Sequence, residues 1–338
     1  MKIFGIYIFS FVYLLTTFRN SIGATYENGS SVQIKRLVEK SGLTEGPHWD
    51  PITQKLFFVD IWANKICSYN PQDTKVYCAY IANGPVGVVV PVEDTPNTFV
   101  VGSGVDILLV TWDGECDTNS PPIRKIATAE KFRPETRFND GKADSSGRFW
   151  AGTITEINGE PQPNEAAFYS LDKDLVLRTQ IKPVTISNGL AWNSDDDTLY
   201  YIDTPTRQIA AFDYNKFDGT ISNKRIVFDV VQNNLPGVPD GMTIDSDGNL
   251  WIALFGGSQV IQVDPKSGKL LRSIPMPAKR ITSVTFGDFS LDTLYVTTAG
   301  YGFARPQEKT PADDLQGGSI FSIKGTGARG FSPNLFRI

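Results

Sequence analysis

Ser187-Asn188-Gly189-Leu190-Ala191-Trp192 is followed, after the polar stretch 193–197, by Thr198-Leu199-Tyr200-Tyr201-Ile202-Asp203. The first segment is a short apolar run entered through Asn-Gly. The second is rich in aromatic and β-branched residues, which fit a pleated, half-buried surface. The intervening Asn-Ser-Asp-Asp-Asp favours a turn, so the pair reads as a hairpin. The same unit recurs on either side of it: Glu45-Gly46 with Leu56-Phe57-Phe58, Val86-Gly87 with Thr98-Phe99-Val100, and Asp140-Gly141 with Phe149-Trp150. It recurs again at Asp240-Gly241 with Leu250-Trp251-Ile252 and at Ser283-Val284 with Leu294-Tyr295-Val296. The second-strand anchors Leu56, Thr98, Phe149, Leu199, Leu250 and Leu294 are spaced by 42, 51, 50, 51 and 44 residues. A strand-built repeat of about 40–50 residues signals a β-propeller, one four-stranded sheet per repeat. The expected fold is therefore all-β, a six-bladed β-propeller with four-stranded antiparallel blades.

The chain ends fit that scheme. Residues 34–39 read as a strand ahead of blade one, and residues 318–323 and 330–336 as the final strands. The N-terminal strand is expected to complete the last blade, closing the ring and removing an open sheet edge. Residues 156–165 and 301–314 are charged or Pro-rich loops that follow inner strands. They are expected at the mouth of the central channel, or, for the second above all, as plain surface excursions.

Equivalent positions of a propeller meet at its axis. The residues just before the recurring small residue are Glu45, Val86, Asp140, Asn188, Asp240 and Ser283. They are expected at one height around the channel. Three carboxylates and a carboxamide crowded there repel one another unless a cation neutralises them, and hard cations such as Ca²⁺ take oxygen ligands of this kind. A turn preference explains one Asp-Gly or Asn-Gly, but not the recurrence in register, nor the glutamate at Glu45.

The 338 residues are 41% apolar and 20% charged, the balance of an ordinary globule, with a net charge of −5. That charge leaves no electrostatic footprint for nucleic acid. Lys2, the apolar run 3–15 and the small residues Gly23 and Ala24 read as a secretory signal peptide spanning residues 1–24. The run is short for a membrane anchor, the rival reading. Residues 25–338 are then one secreted domain with no membrane contact after cleavage. Loss of Lys2 and Arg19 takes the net charge to −7. Asn28-Gly29-Ser30 is an N-glycosylation sequon at Asn28.

The cysteines are Cys67, Cys78 and Cys116. Cys67 and Cys78 flank a hairpin turn at 70–75, and pairing Tyr69 with Val76 sets the two thiols opposite each other. In a secreted protein they are expected to form a disulfide. The alternative is three buried free thiols. A single histidine, His48, excludes a multi-histidine zinc site and argues against Ser-His-Asp catalysis. His48 beside Trp49 reads as a packed structural residue, and Phe57, Trp150, Tyr200, Trp251 and Tyr295 as blade-packing aromatics. The remaining chemistry is carboxylate with metal.

At this point the sequence resembles the family of senescence marker protein (regucalcin), gluconolactonase and luciferin-regenerating enzyme. The stretches that carry the resemblance are Glu45-Gly46-Pro47-His48-Trp49-Asp50, Arg137-Phe138-Asn139-Asp140-Gly141-Lys142-Ala143-Asp144, Ser187-Asn188-Gly189-Leu190-Ala191-Trp192 and Pro239-Asp240-Gly241-Met242. The first looks closest to the insect luciferin-regenerating branch. The resemblance implies that Glu45, Asn188 and Asp240 hold one divalent cation, Ca²⁺ before Zn²⁺ or Mn²⁺, and that Asp240 is also the general base. It implies that Arg137 and Asn139 line the substrate pocket. The chain departs from the family at Glu156-Ile157, where relatives carry two acidic residues. The substrate-contacting acid aligns with Ile157, and Glu156 serves as the substrate-side residue only if the loop shifts. The implied activity is hydrolysis of small lactones or esters by a metal-dependent lactonase with a small-molecule substrate. The alternatives are a calcium- or small-ligand-binding propeller without turnover and an enzyme of the luciferin-regenerating type.

Overall fold

A computed structural model describes residues 21–25, 31–130, 132–303 and 305–338. Residues 1–20 of the predicted leader, 1–24, and the sequon at Asn28 lie outside these residues, while leader residues 21–24 fall in the strand Ser21–Thr25. Six antiparallel sheets surround one axis. Blades one to five occupy residues 44–80, 86–128, 136–184, 187–229 and 238–275. Blade six joins Ile281–Gly287, Thr293–Thr298 and Ile320–Lys324 to the N-terminal Ser31–Val38, so the ring is closed by strands from both ends of the chain. Ser21–Thr25 pairs with Ser31–Val38 as a fifth strand of that sheet. Among the described residues the one helical turn is Thr204–Thr206, of the 3₁₀ type.

Residues 330–336 do not form a strand. The tail makes single bridges, Gly330 to Asp245 and Phe336 to Val92. Blade six already has its strands, and Pro333 carries no N–H for a ladder. The tail instead ties blades five, two and three: Phe336 is buried 6.1 Å from Phe149, and the Arg337 amide donates to Gly147 O at 2.9 Å.

The aromatics pack one blade on the next. Trp49 stacks on Tyr295 with centroids 5.3 Å apart, Phe57 meets Phe99 at 4.8 Å, Trp150 meets Trp192 at 5.9 Å and Trp251 meets Phe286 at 5.7 Å. Two of these tryptophans have a matched anchor. In Asp144-Ser-Ser-Gly-Arg-Phe-Trp150 the Asp144 carboxylate accepts from the Ser146 and Arg148 amides and from Trp150 Nε1. In Asp245-Ser-Asp-Gly-Asn-Leu-Trp251 the Asp245 carboxylate accepts from the Asp247 and Asn249 amides and from Trp251 Nε1. One buried acid thus folds the turn and fixes the core ring above it, with its hydrogen-bonding capacity used.

Each of the six inner strands carries a register shift at, or within two residues before, the recurring small residue. A β-bulge adds a residue and re-aims the side chains beside it. The glycines there are required by close approach. A Cβ on Gly189 would stand 2.7 Å from Asp240 O, and one on Gly241 would stand 2.4 Å from the Ser283 Cβ. Neighbouring inner strands touch backbone to backbone at this level, which narrows the channel into a waist.

Candidate functional site

The waist divides the channel. The chamber at the end where inner strands start is lined by Glu45, Arg137, Asn139, Glu156, Asn188 and Asp240, and measures about 330 Å³. The chamber beyond is lined by His48, Asp140, Lys142, Trp192 and Ser283, is closed by residues 331–334 of the tail, and measures about 430 Å³.

All the sequence-predicted metal and substrate residues therefore meet in the first chamber. Asp140 does not join them, although it precedes a glycine as Asp240 does. In blade three the two bulged residues are Asn139 and Asp140, facing Gly152; in blade five they are Asp240 and Gly241, facing Ala253. By the ladder Asn139 stands where Asp240 stands, and Asp140 is turned to the far chamber. Ser283 is there too. The expected single ring is split by a one-residue difference in where the bulge falls.

The polar groups at the waist orient one another. Asn188 donates from Nδ2 to Thr204 Oγ1 at 2.8 Å, and that hydroxyl donates to Pro239 O at 2.9 Å. This turns Asn188 Oδ1 toward Asn139, whose Nδ2 donates to it at 3.0 Å and to Ser187 O at 2.9 Å. Asn139 Oδ1 in turn accepts from Arg137 at 2.9 Å. The Arg137 guanidinium is clamped: Nε donates to Glu156 at 3.0 Å, NH2 donates to it at 2.5 Å, and its face lies 5.3 Å from the Trp62 ring centre.

Glu45 and Asp240 are only 5% and 7% exposed. Burial and then the nearby Asp140 charge push the Glu45 carboxyl up to about 8, although the Gly46 amide donates to it at 2.7 Å. The Asp240 carboxyl is held well above the usual range by burial and then by Glu45 and Asp140. Arg137, committed to Glu156, offsets the two buried carboxylates only in part, and Lys142 beyond the waist acts on Glu45 as well. Together with an oriented amide oxygen lining the same chamber, the two carboxylates offer oxygen donors of the chemical kind a hard divalent cation takes. Among the described residues no three His, Cys, Asp or Glu side chains converge, so the set rests on two carboxylates and an amide.

In the far chamber Lys142 is the buried counter-charge. Its ammonium donates to Met242 O and faces Asp140, whose carboxyl is raised by burial and lowered by Lys142. His48 Nε2, Asp140 Oδ2 and Trp192 Nε1 are buried without protein partners. Burial drives His48 down to about 4, so it is neutral there at pH 7, a packed residue as its sequence setting suggests.

Glu156 reaches the first chamber without any loop shift, while Ile157 does not line it. Alternation along Phe149–Ile157 puts Ile154 and Glu156 on the pocket side and Ile157 on the other, where it pairs with Glu160. The expectation that Ile157 occupies the substrate wall is thus corrected. The loops 156–165 and 301–314 do cover the mouth. Gly159, Pro161, Phe303 and Arg305 line the chamber, and Arg305 crosses to Gly159 O and Glu160, both at 2.8 Å. Arg280, which nothing in the sequence singles out, sits between the rings of Tyr301 and Phe255 at 3.8 and 5.6 Å and pairs with Glu308. Thr204 was equally hidden; its role appears only once Asn188 and Pro239 are brought beside it.

Cys67 and Cys78 lie opposite each other in the blade-one hairpin and are joined by a disulfide, with Cα atoms 4.1 Å apart. Cys116 is free and exposed.

Residues 43–300 match the family described as SMP-30/Gluconolactonase/LRE-like region. The chain is 35% identical to regucalcin of Danio rerio over 306 residues, which is 90% of this chain and 98% of that one. It superposes on the solved structure of a luciferin-regenerating enzyme with a TM-score of 0.83 at 33% identity, covering 90% of this chain and 99% of the other. A gluconolactonase from Xanthomonas campestris shares the fold at a TM-score of 0.66 and 22% identity, over 87% of this chain and 89% of that one.

Proposed function

This chain belongs to the SMP-30/gluconolactonase/LRE-like family, and we propose that it is a secreted, divalent-metal-dependent hydrolase of small lactones or esters. The observation that carries this reading is the meeting of Glu45, Asn188 and Asp240 at the closed end of a covered pocket, with Arg137 and Asn139 beside them. Glu45, Asn188 and Asp240 would hold the cation, with Ca²⁺ favoured by the all-oxygen set and Zn²⁺ or Mn²⁺ as the rivals. When bound, it supplies Lewis acidity toward a carbonyl oxygen.

The side chains do the rest. Asp240 takes a proton from water as the water oxygen bonds to the carbonyl carbon. The bond from that carbon to the ring or alkoxy oxygen breaks, and the proton passes to the leaving oxygen. A lactone thereby opens to a hydroxy acid, and an ester gives an acid and an alcohol. The Arg137 fork, fixed by Glu156 and Asn139, offers a donor to a substrate oxygen. The tied loops keep bulk water away from the reacting atoms.

The test is a lactone and ester screen on secreted protein, stripped with chelator and reloaded separately with Ca²⁺, Zn²⁺ and Mn²⁺. Turnover lost on stripping and restored by one ion is the expected result. Tight metal binding without turnover of any substrate would favour the reading as a ligand-binding propeller. Secretion is checked by intact mass, with loss of the first 23 or 24 residues expected and a retained Met1 counting against it.

A further inference from the structure

We propose that the pocket selects a lactone or ester bearing an apolar alkyl or aryl group over a polyhydroxylated sugar lactone. This rests on the hydrolase reading and names the substrate class within it. Above the polar waist the walls carry an apolar band: Leu43 just before blade one, Ile61 in it, Ile154 in blade three, Ile186 just before blade four, and Val238 and Phe255 in blade five. Phe303 of the covering loop closes the ring from above.

The charged groups at wall height are tied into ion pairs, with Glu156 receiving Arg137 through Oε2 alone and its Oε1 open to one further donor. Glu156 holds Arg137, Glu308 holds Arg280, and Glu160 holds Arg305. The Arg280 guanidinium is sandwiched between two aromatic rings. The wall hydroxyls are used as well: Thr204 donates to Pro239 O and Thr282 to Thr44 O.

A sugar lactone carries a hydroxyl on nearly every ring carbon. Seated with its carbonyl at the waist, it would bury several of them against isoleucine, valine and phenylalanine. A buried hydroxyl without a partner loses its hydrogen bonds to water and gains none. An alkyl or aryl substituent at the same height instead leaves water for an apolar wall. Discrimination by an apolar pocket runs to about 10–200-fold per methylene-sized difference, so a preference of at least about tenfold is expected. The chamber, about 330 Å³, holds a small ring with one short substituent.

The decisive pair is glucono-δ-lactone and δ-decalactone. They share the six-membered ring and the scissile ester, and differ in carrying hydroxyls or an alkyl chain. With metal-loaded secreted protein, kcat/KM for δ-decalactone should exceed that for glucono-δ-lactone by about tenfold or more. Phe303→Ser should narrow that ratio several-fold, mainly through KM. Phe303 is 47% exposed on a loop, so the fold is not at stake. Equal rates, or a preference for the sugar lactone, would overturn the substrate class and leave the hydrolase reading standing. An unchanged ratio in Phe303→Ser would overturn it too. If neither lactone is hydrolysed, the hydrolase reading fails for this pair. Calorimetric binding of the same two compounds then decides the inference: tighter δ-decalactone upholds it, and equal or weaker binding ends it.

Discussion

The two chambers of the channel are built by the same six strands, yet their balance of charges differs. On the covered side, Glu45 and Asp240 are buried with the guanidinium of Arg137 already bound to Glu156. On the tail side, Asp140 has the Lys142 ammonium facing it, and His48 is neutral. Lys142 offsets part of the burial of Asp140 from within the protein. The less a buried acid's charge is offset, the more it stays protonated or recruits a cation from outside. The difference is the reason the proposed cation is assigned to the waist and not to the larger chamber.

The sharpest way to break this contrast is at Asp240. Asp240→Asn keeps the size and an oxygen donor but cannot take a proton at neutral pH. Turnover should fall by about 10²–10⁴-fold with metal still bound, read as kcat alongside metal content. Full activity with metal retained would refute the general-base role.

The tail-side chamber predicts an acid sensitivity instead. His48 titrates at about 4 when folded and near 6.5 when unfolded, so the unfolded chain binds more protons between those values. The contribution is fully present above pH 6.5 and lost as pH falls to about 4, by roughly 3 kcal/mol at 1.36 kcal/mol per unit. His48→Gln should therefore lose less stability than the wild type between pH 7 and pH 4 in urea unfolding. Parallel losses in the two proteins would rule this out.

A smaller effect tests how the covered side is held together. Thr204→Val removes the hydroxyl that orients the Asn188 amide. Supports of this kind are worth about 10–100-fold in metal affinity. Metal titration should show that weakening, alongside a stability loss of about 1–3 kcal/mol in the metal-free protein from the unpartnered Asn188 amide. Least of all is expected from Ile157→Glu, which lies off the pocket and should alter kcat/KM by less than about twofold. A large gain on sugar lactones would show that the loop rearranges around substrate.

Much of this was legible in the chain. The spacing of Leu56, Thr98, Phe149, Leu199, Leu250 and Leu294 carries the blade count, because each blade must bury its aromatic face on the next. The clasp is legible because the N-terminal strand lacks a partner of its own. The facing of Cys67 and Cys78 follows from one hairpin turn. Asp140 was misplaced because its Asp-Gly looks identical to Asp240-Gly241, and the bulge that separates them is set by contact with neighbouring blades. The same holds for the tail, read as a strand from its apolar residues although blade six was already complete without it.

The sequence by itself determined the six-fold repeat, the hairpin registers and the stock of oxygen donors near the axis, since these depend on side-chain period and local turn chemistry. Only the tertiary structure decided which chamber each donor faces, that Glu156 and not Ile157 meets Arg137, and that Arg280, Phe303 and Thr204 belong to the site. Those outcomes depend on a one-residue bulge, which reverses the face of a strand, and on loops that meet only after the ring has closed.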